Sequence, residues 1–472
     1  MIRTGRAGEG ERMDPTGEAS RDWSRSAAAY EHGRRSVGGG AATSVRAGWR
    51  PHPLFFTHGS GPRIVDVDGH SYVDHVLGWG PLLLGHAHPV VTAAAHAQLD
   101  RGVLFGSSSP AEVTAARRFL AALGWAERML WTNTGTEAVQ IALRLARAHT
   151  GRDVVVKLGG GYHGWHDTVL AGYRDYGDDG VARGHSAGQP ASALTDLRVA
   201  RYGDLPGTAA LLEREAGRVA AILVDPTSSN TGSVEPPPGY LAGLRALADT
   251  HGAVLIFDEV VSGLRLSLAG ATGRFGVVPD LATYGKAIGS GIAVAAVAGR
   301  GDVVDLVTRG VVHSGTFNGN PLATAAVLAT LDVLGADGVY PALDRAAVAL
   351  ADDLRAVAVR AGHVVDVRAL GATVVATPGV ERVAGPDDFL RADPTWWSHE
   401  LIPRMLAHGI YLLPGGRLFL STEHGAAEHD ETVAAFAAVL TRIRPPVTAR
   451  PPSRTATHRG RPTWDSSTGR SS

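Results

Sequence analysis

The sequence predicts an α/β fold: a mainly parallel sheet flanked by helices, with a smaller α+β domain after it. Three observations predict it. Between about 105 and 325, helical and strand-like runs alternate. The strand-like runs, such as "AILV" and "VLIF", lack polar alternation, so both faces should be buried, as in a parallel sheet covered by helices. The chain has 472 residues, 44% of them hydrophobic, enough for a large core and more than one domain.

In chain order, residues 1–40 are rich in Gly, Arg, Ser and Glu and are expected to be a disordered extension. Residues 41–104 form an N-terminal segment, in which "RIVDVDGHSYVDHV" reads as a β-hairpin turning at Asp68-Gly69. Its Asp-x-Asp-Gly start lacks the remaining ligands of a calcium loop, and His86 and His88 in "GHAHP" read as structural, so no metal site is expected.

The large α/β domain spans 105–325. "ERMLWTN" is a strand, "TEAVQIALRLARAHTG" a helix and "DVVVKLGG" a strand. "VAAILVDP", a helix near 240–251, and "AVLIFDEV" follow, then "DLATYG" and "AVAAVAGR". A long helical run at about 321–360 leads into the small domain, 326–444. There "HVVDVRALGATVVAT" reads as paired strands, and two helices flank "LFLST". The Pro-, Arg- and Ser-rich end, 445–472, is expected to be a disordered tail.

Composition excludes several functions. The net charge is -1, without the basic balance of a dedicated nucleic-acid binder. Without cysteine there are no disulfides, thiolate metal sites or cysteine nucleophiles. No signal peptide and no membrane-spanning run stands out, so a soluble cytoplasmic protein is expected.

In an open parallel sheet, ligands bind beyond the carboxyl ends of the strands. The polar groups there are Asn133 to Thr136, Gly160 to His163, Asp225, Asp258-Glu259 and Lys286. "NTGTEA" opens a helix whose free N–H groups suit a phosphate at Gly135 and Thr136. An ordinary capped helix would read the same way. Asp258 closes an apolar strand and needs a positive partner, which a protonated ring nitrogen or a salt bridge would supply. Tyr162 and His163 offer flat side chains to cover a planar ring, or to pack at an edge.

Lys286 is one of only two lysines, in a chain that otherwise uses arginine. Lysine differs from arginine in being able to lose a proton and attack a carbonyl. The other, Lys157, has no chemical role legible in the sequence. A phosphate nest, a stacking aromatic, a buried carboxylate and a nucleophilic lysine are together the parts a pyridoxal phosphate site requires.

Across residues 43–440 the chain resembles the class III aminotransferases of pyridoxal-phosphate fold type I. The motifs are "TNTGTEAVQIALRLARAHTGRD", "GGYHGWHD", "VLIFDEVVSGLR", "GVVPDLATYGKAIGSG" and "SGTFNGNPLA". Within the class it is most similar to the glutamate semialdehyde aminomutases and related β-amino-acid transaminases. The resemblance implies a seven-stranded sheet and the cofactor pyridoxal 5'-phosphate. It implies that Lys286 bonds to the cofactor and that Asp258 holds its ring nitrogen protonated. Gly135 and Thr136 would take the phosphate, Tyr162 and Val260 would cover the ring faces, and Asn230 would lie near the ring hydroxyl. Thr316 would reach the phosphate of a neighbouring subunit, which implies a homodimer with shared active sites. Arg46 in "TSVRAGW" and Trp79 would line the substrate pocket, the arginine fork receiving a carboxylate.

Three departures from the family pattern bear on the substrate. Asp225-Pro226 stands where the family has Glu-Pro, "PTSSNTG" replaces a more apolar stretch, and "LLPGGRLFLSTEHG" is short, with Arg417 near the place of an aminomutase glutamate. The expected activity is transfer of an amino group from a small carboxylate-bearing donor to a carbonyl acceptor. An aminomutase-type isomerase or an epimerase is the alternative, and a catalytically silent scaffold the third reading.

Overall fold

The computed structural model describes residues 12–13, 19–174, 176 and 180–448. The expected hairpin forms. Strand β2 (Arg63–Asp66) pairs antiparallel with β3 (Ser71–Asp74), and β1 (Phe56–Ser60) flanks β2. Gly69 turns with a φ of 95°, a conformation that side chains resist. The Asp66 carboxylate tightens the turn by accepting the N–H groups of Asp68 and His70 and the Tyr72 hydroxyl.

The expectation of a disordered chain over 1–40 fails at helix α1 (Ser24–Gly33). Composition missed it because its partners are distant in sequence. Asp68, from the hairpin turn, accepts the N–H groups of Arg25 and Ser26 at 2.8 and 3.0 Å, satisfying the helix start. The Trp23 indole donates to Tyr72. The tail beyond 448 lies outside the described residues.

The large sheet has seven strands: β4 (Arg128–Thr132), β5 (Val154–Leu158), β6 (Leu197–Ala200), β7 (Val219–Val224), β8 (Val254–Glu259), β9 (Leu281–Tyr284) and β10 (Ala295–Gly299). Their spatial order is β4-β10-β9-β8-β7-β5-β6, and only the pairs made by β10 are antiparallel. The apolar runs are continuous because alternate residues feed opposite cores. Leu255 and Phe257 enter one cluster, and Val254 and Ile256 the other.

Helix α2 (Gly135–Thr150) covers the second face. Thr134 and Glu137 make a capping box at its start, Gly151 ends it at φ 66°, and Ala138, Ala142, Leu145 and Ala146 form its buried stripe. Helix α3 (Tyr240–His251) forms at its expected place.

The long helical run at 321–360 is two helices, α4 (Pro321–Leu334) and α5 (Val339–Arg360), bent by 76° where Gly335 and Gly338 interrupt it. The small antiparallel sheet has the order β11 (Val365–Ala369), β12 (Thr373–Pro378), β14 (Arg417–Phe419), with α6 (Ala426–Leu440) packed on α5. The short strand β13 (Ile410–Tyr411) runs parallel to β3, joining this region to the N-terminal sheet. Buried Arg265 fastens the three parts together, donating to the carbonyls of Ala372, Leu420 and Gly80. Among the described residues no single helix is long and apolar enough to cross a membrane.

Candidate active site

Strands β5, β7, β8 and β9 are parallel, so their carboxyl ends lie along one edge of the sheet. A cavity of about 320 Å³ opens there. It is lined by Gly135, Thr136, Tyr162, His163, Asn230, Asp258, Val260 and Lys286, eight of the eleven residues expected at the site, and also by Asp225.

Asp258 ends the apolar run of β8 and is buried. Its carboxylate is held at both oxygens by three hydrogen bonds, one fewer than a carboxylate can accept. Oδ1 accepts from the Val260 N–H and the Thr283 hydroxyl, each at 3.1 Å, and Oδ2 lies 2.6 Å from His163 Nδ1. Thr283 is its register partner on β9, so the parallel pairing itself delivers that bond. With Asp258 ionised, Nδ1 carries the proton, since a carboxylate only accepts. Burial pushes the His163 pKa down, which favours this neutral imidazole.

Lys286 follows β9 by one glycine. Its φ is 46°, a left-handed backbone in a non-glycine residue, which is strain stored at the mouth of the cavity. Burial and then the Arg417 charge push its amine down to about 8, while Asp258 and Asp225 oppose that shift. An amine near 8 exchanges protons readily at neutral pH, as a general base and acid must.

Asp225 lies beyond the end of β7, where the strand-end rule drew attention to it without giving it a role. It accepts the N–H groups of Thr227 and Ser229 and the Ser229 hydroxyl. Burial and the Asp258 charge raise its pKa to about 6. Asn230 and Arg417 are linked: Arg417 Nη1 donates to Asn230 Oδ1 and to the Ser229 carbonyl, each at 3.0 Å. Arg417 is thus buried on β14, bonded to the Asn230 that lines the cavity, and its charge acts on the Lys286 amine, a link that no local pattern could signal.

At the start of α2, the N–H groups of Gly135 and Thr136 have no carbonyl one turn back to bond. Glycine is required at 135: an added Cβ would lie 2.9 Å from both methyls of Val260. Gly164 fits as closely against Thr136, whose hydroxyl accepts the Trp165 N–H. Tyr162 lines the cavity with its ring edge on Tyr173, 5.4 Å between centroids.

Three expected residues do not line the cavity. Thr316 is exposed on a turn, tied back to the α2 loop through the Asn133 to Asn318 hydrogen bond at 2.8 Å. Trp79 packs on Trp49, 5.9 Å away, in an apolar cluster shared with Val261, which does line the cavity. Arg46 is exposed on the short helix Ser44–Ala47.

This donor set fits a phosphorylated heterocyclic aldehyde. A helix start with two free N–H groups suits the phosphate, a buried carboxylate suits a ring N–H, and a low-pKa amine suits the aldehyde carbon.

Comparisons with known proteins agree. The model of the family described as Aminotransferase class-III matches residues 45–442. A protein named glutamate-1-semialdehyde 2,1-aminomutase, from Desulforudis audaxviator, is 40% identical over 427 residues, covering 88% of this chain and 97% of that protein. An omega-transaminase structure from Sphaerobacter thermophilus superposes with a TM-score of 0.83 at 31% identity, covering 88% of this chain and 97% of that one. The β-phenylalanine aminotransferase of Variovorax paradoxus gives 0.77 at 30% identity, covering 88% and 93%.

Proposed function

The chain belongs to the class III aminotransferases, and from that premise we propose that it uses pyridoxal 5'-phosphate to move an amino group from a carboxylate-bearing amino compound to a carbonyl acceptor. The observation that carries this reading is the convergence of Lys286, Asp258 and the start of α2 on one cavity.

Gly135 and Thr136 would hold the phosphate, Asp258 the protonated ring nitrogen, and Tyr162 and Val260 the ring faces, with Asn230 and His163 at its rim. Bound there, the cofactor supplies an aldehyde and an electron-withdrawing ring. The chain's own residues do the rest. The Lys286 amine takes the proton from the substrate α-carbon and later returns one, as general base and then acid. His163, Thr283 and the Val260 N–H keep the Asp258 carboxylate fixed where it would accept the ring N–H. Arg417 keeps the Lys286 amine poised near neutrality. Arg46 and Trp79 would meet the substrate at the outer end, the arginine taking a carboxylate.

Thr316 would act in the site of a second copy, in a homodimer with shared active sites. Its exposure, beside exposed Phe317, supports that placement.

A second reading, intramolecular amine transfer or epimerisation, is favoured by the aminomutase relatives. Arg417 and the short loop before it favour transfer between molecules. One experiment separates the two: the cofactor-loaded enzyme is given candidate amino acids without any keto acid. The aminotransferase reading predicts one equivalent of product per site and then arrest. Sustained turnover would replace it with the isomerase reading.

A further inference from the structure

Lys157, the second of the chain's two lysines, is fully buried on β5. It lies on the same face as Val155, toward the core beneath α2. Among the described residues no carboxylate bonds to it. Its Nζ donates to three carbonyls instead: Gly161 at 2.9 Å, Val169 at 2.9 Å and Ala171 at 2.7 Å.

These three carbonyls belong to one loop. The loop leaves β5 at Gly159 and closes where the Gly160 N–H bonds the Gly172 carbonyl at 3.1 Å. Gly161 lies on its outgoing limb, and Val169 and Ala171 on its return. Between the limbs it presents Tyr162, His163 and Gly164 to the cavity. A buried ammonium is costly unless its protons are satisfied, and here each of the three N–H groups has its own acceptor. Burial pushes the amine down to about 7, and the Asp258 charge opposes that push; accepting carbonyls suit the ammonium form of such a group.

We propose that Lys157 is a positioning residue: its ammonium clamps the two limbs of the 159–172 loop, so that Tyr162 stays over the cavity and His163 stays bonded to Asp258. The proposal rests on the cofactor reading above only for what the loop covers; the clamp itself is a property of the chain. It also accounts for a lysine at this position. A planar guanidinium on a longer stem cannot point three donors at a trio of carbonyls converging on one atom.

The test compares wild type with Lys157→Met and Lys157→Arg by hydrogen exchange, without cofactor and then with pyridoxal phosphate. Both variants should speed exchange over 160–171 about tenfold or more relative to β7 and β8, the loss expected from removing hydrogen bonds to a charged donor. Both should weaken cofactor binding and alter the visible circular dichroism of the bound cofactor. A lowered Tm with loop exchange and cofactor spectrum unchanged would overturn the proposal, leaving Lys157 as a core residue only. Should both variants fail to fold, wild type decides: the Gly160 N–H, which bonds the Gly172 carbonyl across the two limbs, must exchange as slowly as β5, and fast exchange there overturns the clamp. Exchange in the cofactor-free protein tests the clamp even if the aminotransferase reading fails.

Discussion

Gly135→Ala probes the phosphate end of the site through a single intrachain contact. Gly135 does not have a positive φ, so alanine meets no backbone strain there. As the first residue of α2, alanine should if anything favour the helix, by up to about 1 kcal/mol. The obstacle is steric: the new Cβ would lie 2.9 Å from Val260 Cγ1 and 2.9 Å from Cγ2, inside ordinary contact. Rotating Val260 does not relieve it, because two methyls occupy two of three staggered positions and one always remains. Either Val260 or the helix start must move, and both line the cavity.

Overpacking of this kind costs about 1–3 kcal/mol. Falling on the cofactor site, it should raise the dissociation constant for pyridoxal phosphate roughly tenfold to a hundredfold. The assay is a cofactor titration by absorbance, beside thermal melts of the cofactor-free protein. Tm of the cofactor-free protein should fall, by less than the full overpacking cost because alanine favours the helix; affinity should fall with it, and adding Val260→Ala should recover part of both losses. A Gly135→Ala variant that binds as wild type would refute the reasoning, as would a double variant that binds no better than the single one.

Two further outcomes follow from the buried charges. Glu259 is buried beside Asp258, accepting the Ala271 N–H, and burial raises its pKa from 4.5 to about 8. Because the folded pKa is the higher, stability is full below about 4.5 and falls as pH rises toward 8; at about 1.4 kcal/mol per unit this amounts to a few kcal/mol. Glu259→Gln should therefore flatten the Tm difference between acid and alkaline buffers, and an unchanged difference would contradict the assignment. Arg417→Met should raise the Lys286 pKa above about 8, since the arginine charge is, after burial, what lowers it. Lysine-labelled cofactor-free protein has only two side-chain signals to follow, and a Lys286 titration that stays put or falls would count against that cause.

The strands were legible because a strand buried on both faces has to be apolar, as β7 is throughout and β8 is up to Asp258. Their polar ends were legible for the converse reason: Asp258 interrupts a run in which a carboxylate is expensive. Lys286 stood out because arginine fills almost every other cationic position. Lys157 shared that rarity but not a local pattern, since its partners appear only when the loop folds back over β5. Helix α1 was missed for the same reason, its start being satisfied by Asp68 some forty residues away in the hairpin. The break between α4 and α5 was visible as two nearby glycines, but their effect depends on the packing around them. Arg417 reaches Asn230 from another domain, and no spacing rule connects the two.

The central claim is that Lys286 is the amine that bonds to the cofactor. Borohydride treatment of the loaded enzyme fixes the cofactor to whichever amine holds it, and peptide mass spectrometry then locates it. With two lysines in the chain, side-chain attachment has two possible sites. The account predicts one pyridoxyl group per chain, on the peptide containing Lys286, and none in Lys286→Ala. Attachment at Lys157, or no attachment in an enzyme that still turns over, would contradict it.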